Sequence, residues 1–278
     1  MLLHDVLATY VATHEYGVSA GHAECMYYSL VVWEKWAARP LTVADLTDET
    51  LNGFLDWYRV NRKPDTVRTR RGNLLILWHW AFQEGHTDVA PRRVRKLRPI
   101  ARMPSAWTID EVKSLLATAE ALPGCFHRTK RRRSAWWGSL VRTAYDTGLR
   151  LADLLAVANV AIQDRMVVLQ HKTGRYVFVQ VRPATLAAID QTMADESREL
   201  VWPLWCGRQT FYEHFKAIVQ AAQIRPGTFR WLRRTAATQV ETVQAGAGTA
   251  LLGHASRSTT EQWYLDRSQL AHPPLPPW

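Results

Sequence analysis

Leu3, Val6, Leu7, Tyr10 and Val11 recur at three- and four-residue intervals, so the chain opens on an amphipathic helix. The period returns at Tyr28, Val31, Val32 and Trp36, and again in LTDETLNGFLDWYR, where Thr47 stands as the cap and Leu51, Phe54, Leu55 and Tyr58 form one stripe. A fourth helix, PDTVRTRRGNLLILWHWAFQEG, opens on Pro64 and Asp65, closes at Gly85 and sets Arg68, Arg70 and Arg71 ahead of Leu74, Leu77 and Trp78. The N-terminal part is therefore expected to be wholly helical. Cations are disfavoured at the positive end of a helix, so these three arginines point to an external anion such as a nucleic-acid backbone.

The helical period stops between Thr87 and Trp107. Three prolines fall there, together with a basic run of Arg92, Arg93, Arg95, Lys96, Arg98 and Arg102, and no acid stands between Asp88 and Asp110. This reads as a linker and sets the expected boundaries: a helical domain over 1–90, a basic linker over 91–106 and a second domain over 107–278. Beyond it, Thr108 and Glu111 have the spacing of a capping box ahead of Val112, Leu115 and Leu116. The basic Lys130, Arg131, Arg132 and Arg133 precede a second helix, SAWWGSLVRTAYDTGLR, that ends near Gly148. RMVVLQHKTGRYVFVQVRP holds two β-branched runs about a Lys-Thr-Gly-Arg turn, the pattern of a hairpin with Lys172 at its tip. More helices are expected in TLAAIDQTM, RQTFYEHFKAIVQAA and RWLRRTAATQVET, so the second domain is expected to mix helix and sheet.

Composition narrows the class. With 278 residues, 47% of them hydrophobic, the chain can bury two cores and is not a disordered polymer. Its net charge of +10 favours a polyanionic partner, nucleic acid first among them, because Lys and Arg release counterions from phosphates. Cys25, Cys125 and Cys206 are odd in number and far apart, which argues against a disulfide framework or zinc ribbon and for buried free thiols. No apolar run is long enough for a membrane span, and the expectation is a soluble cytoplasmic protein. Most of the 13 tryptophans are expected to be core residues.

Six residues of the second half have the chemistry of a metal-free phosphoryl-transfer site: Arg150, Lys172, Arg230, Arg233, His254 and Tyr264. Such a site needs fixed positive charge on the non-bridging oxygens, an acid for the leaving oxygen and an aligned nucleophile. A guanidinium grips two phosphate oxygens at once, which suits Arg150; Arg230 and Arg233, three apart, share one helix face. Arg234 is turned about 100° from Arg233 and is expected to face solvent or DNA. Each residue taken alone has a plainer reading, as a surface cation, a solvated turn lysine or a structural histidine.

TGLRLADLL (147–155), HKTGRYVFV (171–179), FRWLRRTAAT (229–238) and LLGHASRSTTEQWYLD (251–266) together make the chain resemble the tyrosine recombinases, the phage integrase family. The intervals between successive candidates, 22, 58, 3, 21 and 10 residues, keep the family's order. The resemblance implies an all-α, SAM-like helical core-binding domain and an α+β catalytic domain closing as a clamp on duplex DNA. It implies a site-specific recombinase, an enzyme that cuts and rejoins DNA through a 3′-phosphotyrosyl link, needs no metal, ATP or other cofactor, and works as a tetramer on synapsed sites while the free protein is monomeric. A mobile-element integrase is the form expected.

On the same ground Tyr264 is the nucleophile, Lys172 protonates the leaving 5′ oxygen, Arg150 and Arg233 clamp the phosphate, His254 bonds to it, and Asp153 supports an arginine. DNA-backbone contacts are expected from Arg68, Arg70, Arg71, Arg92, Arg93, Arg95, Lys96, Arg131, Arg132 and Arg133. Two departures stand out. Arg230 fills a position that is usually His or Lys in the family, and Trp263 occupies the usual tyrosine position, so that Tyr264 needs a one-residue bulge or helix shift. A type IB topoisomerase and a catalytically impaired DNA-binding regulator of the same fold are the alternatives. The Pro-rich tail after Tyr264, ending in AHPPLPPW, is expected to be extended and to dock on a neighbouring protomer.

Overall fold

Thr47 accepts the backbone N–H of Thr50 and starts a helix whose Leu51, Phe54, Leu55 and Tyr58 are all buried, as the stripe in the sequence predicts. The computed structural model describes residues 1–14, 17–98, 103–127, 130–158, 165–171, 174–193 and 199–270. Two compact units divide the chain, Met1–Arg102 and Met103–Trp278. No helix among the described residues is long and apolar enough to cross a membrane.

The first unit consists of α1 (Leu3–Thr13), α2 (Ala20–Ala37), α3 (Asp48–Arg59) and α4 (Pro64–Gln83), with a 3-10 turn at Val43–Asp45. Trp33, Phe54 and Trp78 fill its centre. The α2 stripe is displaced from the one expected: Met26, Ser29, Leu30 and Trp33 are buried, whereas Tyr28 is exposed. The reason is polar. Ser29 lies at the buried helix contact, where its hydroxyl donates to the Cys25 carbonyl at 2.7 Å and accepts from Asn73 at 3.1 Å.

The arginines at the start of α4 have internal partners. Arg70 donates to the Cys25 carbonyl (2.9 Å) and the Ser29 hydroxyl (3.2 Å), Arg71 to the carbonyls of Arg95 (2.6 Å) and Val94 (3.2 Å), and Arg68 pairs with Asp65. The basic run is fastened along α3. Backbone N–H groups of Arg92 and Arg93 reach the Asp48 carboxylate, that of Arg95 reaches Asn52, and the Arg95 guanidinium meets Asp56 at 2.6 Å. The side chains of Arg92, Arg93, Lys96 and Arg98 stay exposed. Cys25 and Cys125 are exposed rather than buried, and Cys206 is half-buried; Cys25 falls on the outer side of α2, beside the inward Met26.

The second unit begins with α5 (Ile109–Glu120), started by the predicted box: Thr108 accepts from Glu111 N–H and the Glu111 carboxylate accepts from Thr108 N–H. Then come α6 (Arg133–Thr147), α7 (Leu151–Leu155), the strands β1 (Arg165–Gln170) and β2 (Arg175–Gln180), α8 (Pro183–Met193), α9 (Arg208–Ala221), α10 (Arg230–Val243), α11 (Ala247–Leu252) and α12 (Arg257–Trp263). The strands pair antiparallel, with Val167 opposite Phe178 and Leu169 opposite Tyr176. Trp107, Trp136, Trp137, Trp202, Phe211 and Phe215 build the core of this unit, where most of its tryptophans sit as expected. Among the described residues the sheet is this one hairpin, so the unit is mostly helical with a small sheet.

Candidate active site

Gly148 closes α6 in the left-handed conformation (φ 60°), which a side chain resists, and its position also lies against Leu251 and Leu252 of α11. Two residues on, Arg150 is the extended residue that caps α7. Its Nη1 donates to Gln170 Oε1 at 2.9 Å and lies 3.6 Å from Asp153 Oδ2. Asp153 is buried, not an exposed acid, and its Oδ1 also accepts the N–H of His171 at 3.1 Å. It thus ties Arg150 to the residue that precedes Lys172. Lys172 itself, expected at the hairpin tip, lies outside the described residues.

Arg233 projects from α10 into the interior and is 2% exposed. It donates to the carbonyl of Gly148, to that of Leu252 (3.1 Å) and to His254 Nε2 (3.1 Å). Burial, reinforced by the charge of Arg150, lowers its pKa to about 10, so it is still cationic at neutral pH. A guanidinium has only N–H groups to offer, hence His254 Nε2 accepts and Nδ1 carries the proton that goes to Thr260 Oγ1 at 2.9 Å. Gly253, with φ 62°, lets the chain turn from α11 into His254, where a side chain would meet Val177 at 3.1 Å.

Tyr264 follows the last residue of α12 and is 7% exposed. Its N–H and that of Leu265 both reach the Thr260 carbonyl, at 2.9 and 3.1 Å, which makes a wide turn at the helix end. Trp263 is left 44% exposed, whereas the Tyr264 ring lies 4.9 Å from the Arg230 guanidinium carbon, 5.1 Å from that of Arg233 and 4.8 Å from the His254 ring. Burial pushes the phenol pKa up, but the combined charges of Arg233, Arg230 and Arg150, with a hydrogen bond from Arg230, outweigh it and hold the pKa below its ordinary value.

A cleft of about 580 Å³ is lined by Arg150, Arg175, Arg230, His254, Trp263 and Tyr264, among others. A second hollow of about 320 Å³ touches Arg150, Arg230, Arg233 and Tyr264. Five of the six expected residues are thus brought together. Arg175 and Trp263 of the cleft were not among the expected site residues, although Arg175 stands in the HKTGRYVFV segment as a cation three residues past Lys172. Arg234 faces inward rather than to solvent: it is half-buried and donates to the carbonyls of Trp263 (3.2 Å) and Ser105 (3.4 Å). Its burial follows from the return of the chain after α12, which local helix geometry does not contain. Of the basic stretch at the start of α6, Arg132 is exposed and Arg131 and Arg133 are half-buried. Among the described residues no three His, Cys, Asp or Glu side chains converge to hold a metal ion.

The family model described as the phage integrase family matches residues 107–270. No curated protein matches the chain. Among solved structures, the fold is similar to that of a lambda integrase dimer bound to a COC′ core site, with TM-score 0.77 and 20% identity over 99% of each chain. A lambda integrase tetramer bound to a Holliday junction aligns with TM-score 0.71 and 20% identity, over 92% of this chain and 78% of that one. The Tn1549 transposon integrase in complex with circular intermediate DNA aligns with TM-score 0.70 and 10% identity, over 99% and 96%. At such identities the likeness is one of fold: mostly helical, with a small two-stranded sheet.

Proposed function

The chain belongs to the phage integrase family, and from that premise we propose that it is a site-specific tyrosine recombinase whose nucleophile is Tyr264. The observation that carries the assignment is the phenol held against Arg230 and Arg233 at the wall of a cationic cleft. Tyr264 Oη attacks the scissile phosphorus in line, the bond from phosphorus to the 5′ oxygen breaks, and a 3′-phosphotyrosyl link forms. The phenol proton leaves to water, since Arg230 stays protonated and has no lone pair to receive it. The departing 5′ oxygen takes a proton from Lys172. Arg150 and Arg233 carry the charge that builds on the non-bridging oxygens. Because the link retains the bond energy, a 5′ hydroxyl of another strand reverses the step without ATP.

His254 donates its Nδ1–H to Thr260 and accepts an N–H of Arg233 at Nε2. A bond from Nε2 to the phosphate therefore requires Arg233 to turn from the imidazole to the phosphate and Nε2 to gain a proton. Exchange between two duplexes takes four such sites, so the working form is a homotetramer on DNA recombination sites, serving a mobile element in the cytoplasm where that DNA resides. The exposure of Arg92, Arg93, Lys96 and Arg132 supports their reading as backbone contacts, joined by Arg175 in the cleft.

Selection of bound DNA from a random pool, followed by incubation with nicked suicide duplexes of the selected sequence, tests the assignment. A covalent adduct that disappears in Tyr264→Phe supports it. Binding with no adduct from the unaltered chain points to a DNA-binding regulator, and relaxation of supercoils without joint molecules points to a topoisomerase.

A further inference from the structure

Arg150 has its shortest bond not with the acid beside it but with an amide from the hairpin: 2.9 Å to Gln170 Oε1, against 3.6 Å to Asp153 Oδ2. Gln170 is the last residue of β1 and is wholly buried. Its Nε2 donates to the Leu252 carbonyl at 3.3 Å, and the same carbonyl receives Arg233 Nη2 at 3.1 Å. An unbroken chain of hydrogen bonds therefore runs from Arg150 through Gln170 and the Leu252 carbonyl to Arg233, and from there to His254. A carboxamide suits this place on chemical grounds, because it is neutral and presents an acceptor and a donor side by side. A carboxylate would turn an oxygen without a proton on the Leu252 carbonyl and add buried negative charge beside Arg150. An apolar side chain would leave Arg150 held only by the longer contact to Asp153.

We propose that Gln170 is a positioning residue for strand cleavage, fixing the Arg150 guanidinium at the spacing from Arg233 that a phosphate bridging the two requires. The proposal rests on the reading of this cleft as the scissile-phosphate site. Gln170 does not touch the DNA; it acts through Arg150. Its place on β1 also couples that arginine to the paired strand that opens on Arg175, so strand register and guanidinium position are set together.

Single-turnover cleavage of a nicked suicide duplex tests this, with the unaltered chain, Gln170→Met, Arg150→Ala and the double variant, each on a phosphodiester and on a methylphosphonate that lacks one charged oxygen. Gln170→Met is expected to cleave the phosphodiester about 10- to 100-fold more slowly. The double variant is expected to be no slower than Arg150→Ala, and the Gln170→Met deficit to shrink on the methylphosphonate, where less charge needs an arginine. Gln170→Asn, an amide too short to span both partners, is expected to show the same pattern if Gln170→Met does not fold. Cleavage by either folded variant at the unaltered rate, or a deficit that multiplies in full with that of Arg150→Ala, overturns the proposal. Absence of any adduct from the unaltered chain would instead overturn the reading of the site.

Discussion

The guanidinium carbon of Arg230 lies 4.9 Å from the centre of the Tyr264 ring. On the proposed reading of Tyr264 as the nucleophile, a permanent cation lies against it where a base would remove its proton. This exchanges one form of activation for another: Arg230 stabilises the phenolate that forms and does not remove its proton. Cleavage that depends on the phenolate rises with pH up to the phenol pKa and then levels off. Since that pKa is held below its ordinary value, the plateau is expected below pH 10. In Arg230→Gln the inflection is expected at higher pH, because one of the cations that stabilise the phenolate is lost. A single-turnover rate–pH profile checks this, and an unmoved inflection would show that Arg230 does not act on the phenol.

The identity of the nucleophile gives a second prediction. Trp263 ends α12 at the rim of the cleft, and Tyr264 leaves the helix through the wide turn on the Thr260 carbonyl. A phenol moved to position 263 lacks the two guanidinium contacts that only residue 264 makes. Trp263→Tyr in the Tyr264→Phe background is therefore expected to form no covalent adduct, whereas Trp263→Phe with Tyr264 intact is expected to retain one. Electrophoresis of the protein–DNA product reads both, and an adduct restored at position 263 would move the nucleophile.

Much of the local structure was legible in the sequence. Thr108 with Glu111, Thr47 ahead of its stripe, and Gly148 at the end of α6 are determined within four residues, and each acts as its spacing predicts. What could not be read is the choice of hydrogen-bond partner across long intervals. Arg233 ends on the carbonyl of Gly148, 85 residues away, and Arg234 on that of Ser105, 129 residues away. Nothing local to α10 distinguishes an arginine aimed at phosphate from one aimed at a carbonyl. Arg70 and Arg71 pose the same difficulty in α4: they donate to carbonyls of α2 and of the basic run, partners that the cationic stripe in the sequence does not name. Gln170 gave no signal because its function depends on Arg150 and Leu252 arriving from two other elements.

Arg234 separates bracing from DNA contact by measurement. Its Nε holds the Trp263 carbonyl and its Nη1 the Ser105 carbonyl, so it secures the segment that presents Tyr264. Arg234→Gln is expected to lower single-turnover cleavage about tenfold, as the loss of the charge-assisted bond to the Trp263 carbonyl implies. The slope of log binding constant against log salt is expected to stay unchanged, because no phosphate contact is lost. A slope smaller by about one unit would identify Arg234 as a backbone contact after all.

Stability in acid should depend on Glu111. Its carboxylate accepts from Thr108 N–H (2.7 Å) at the start of α5 and from Arg225 through Nε (2.7 Å) and Nη2 (2.6 Å). The hydrogen bond to Arg225 is the main reason its pKa falls from 4.5 to about 2. The folded state thus holds the proton less tightly than the unfolded chain, so the stabilisation is complete above pH 4.5 and is lost as pH falls towards 2. Gln at this position keeps an acceptor for the Thr108 N–H but carries no charge, which isolates the ion pair from the helix cap. With Arg225 half-exposed and screened, Glu111→Gln is expected to cost about 1–2 kcal/mol at neutral pH. The two proteins should converge in stability near pH 2. Urea denaturation from pH 7 to pH 2 measures both; a constant difference across that range would mean that packing, not charge, is what Glu111 contributes.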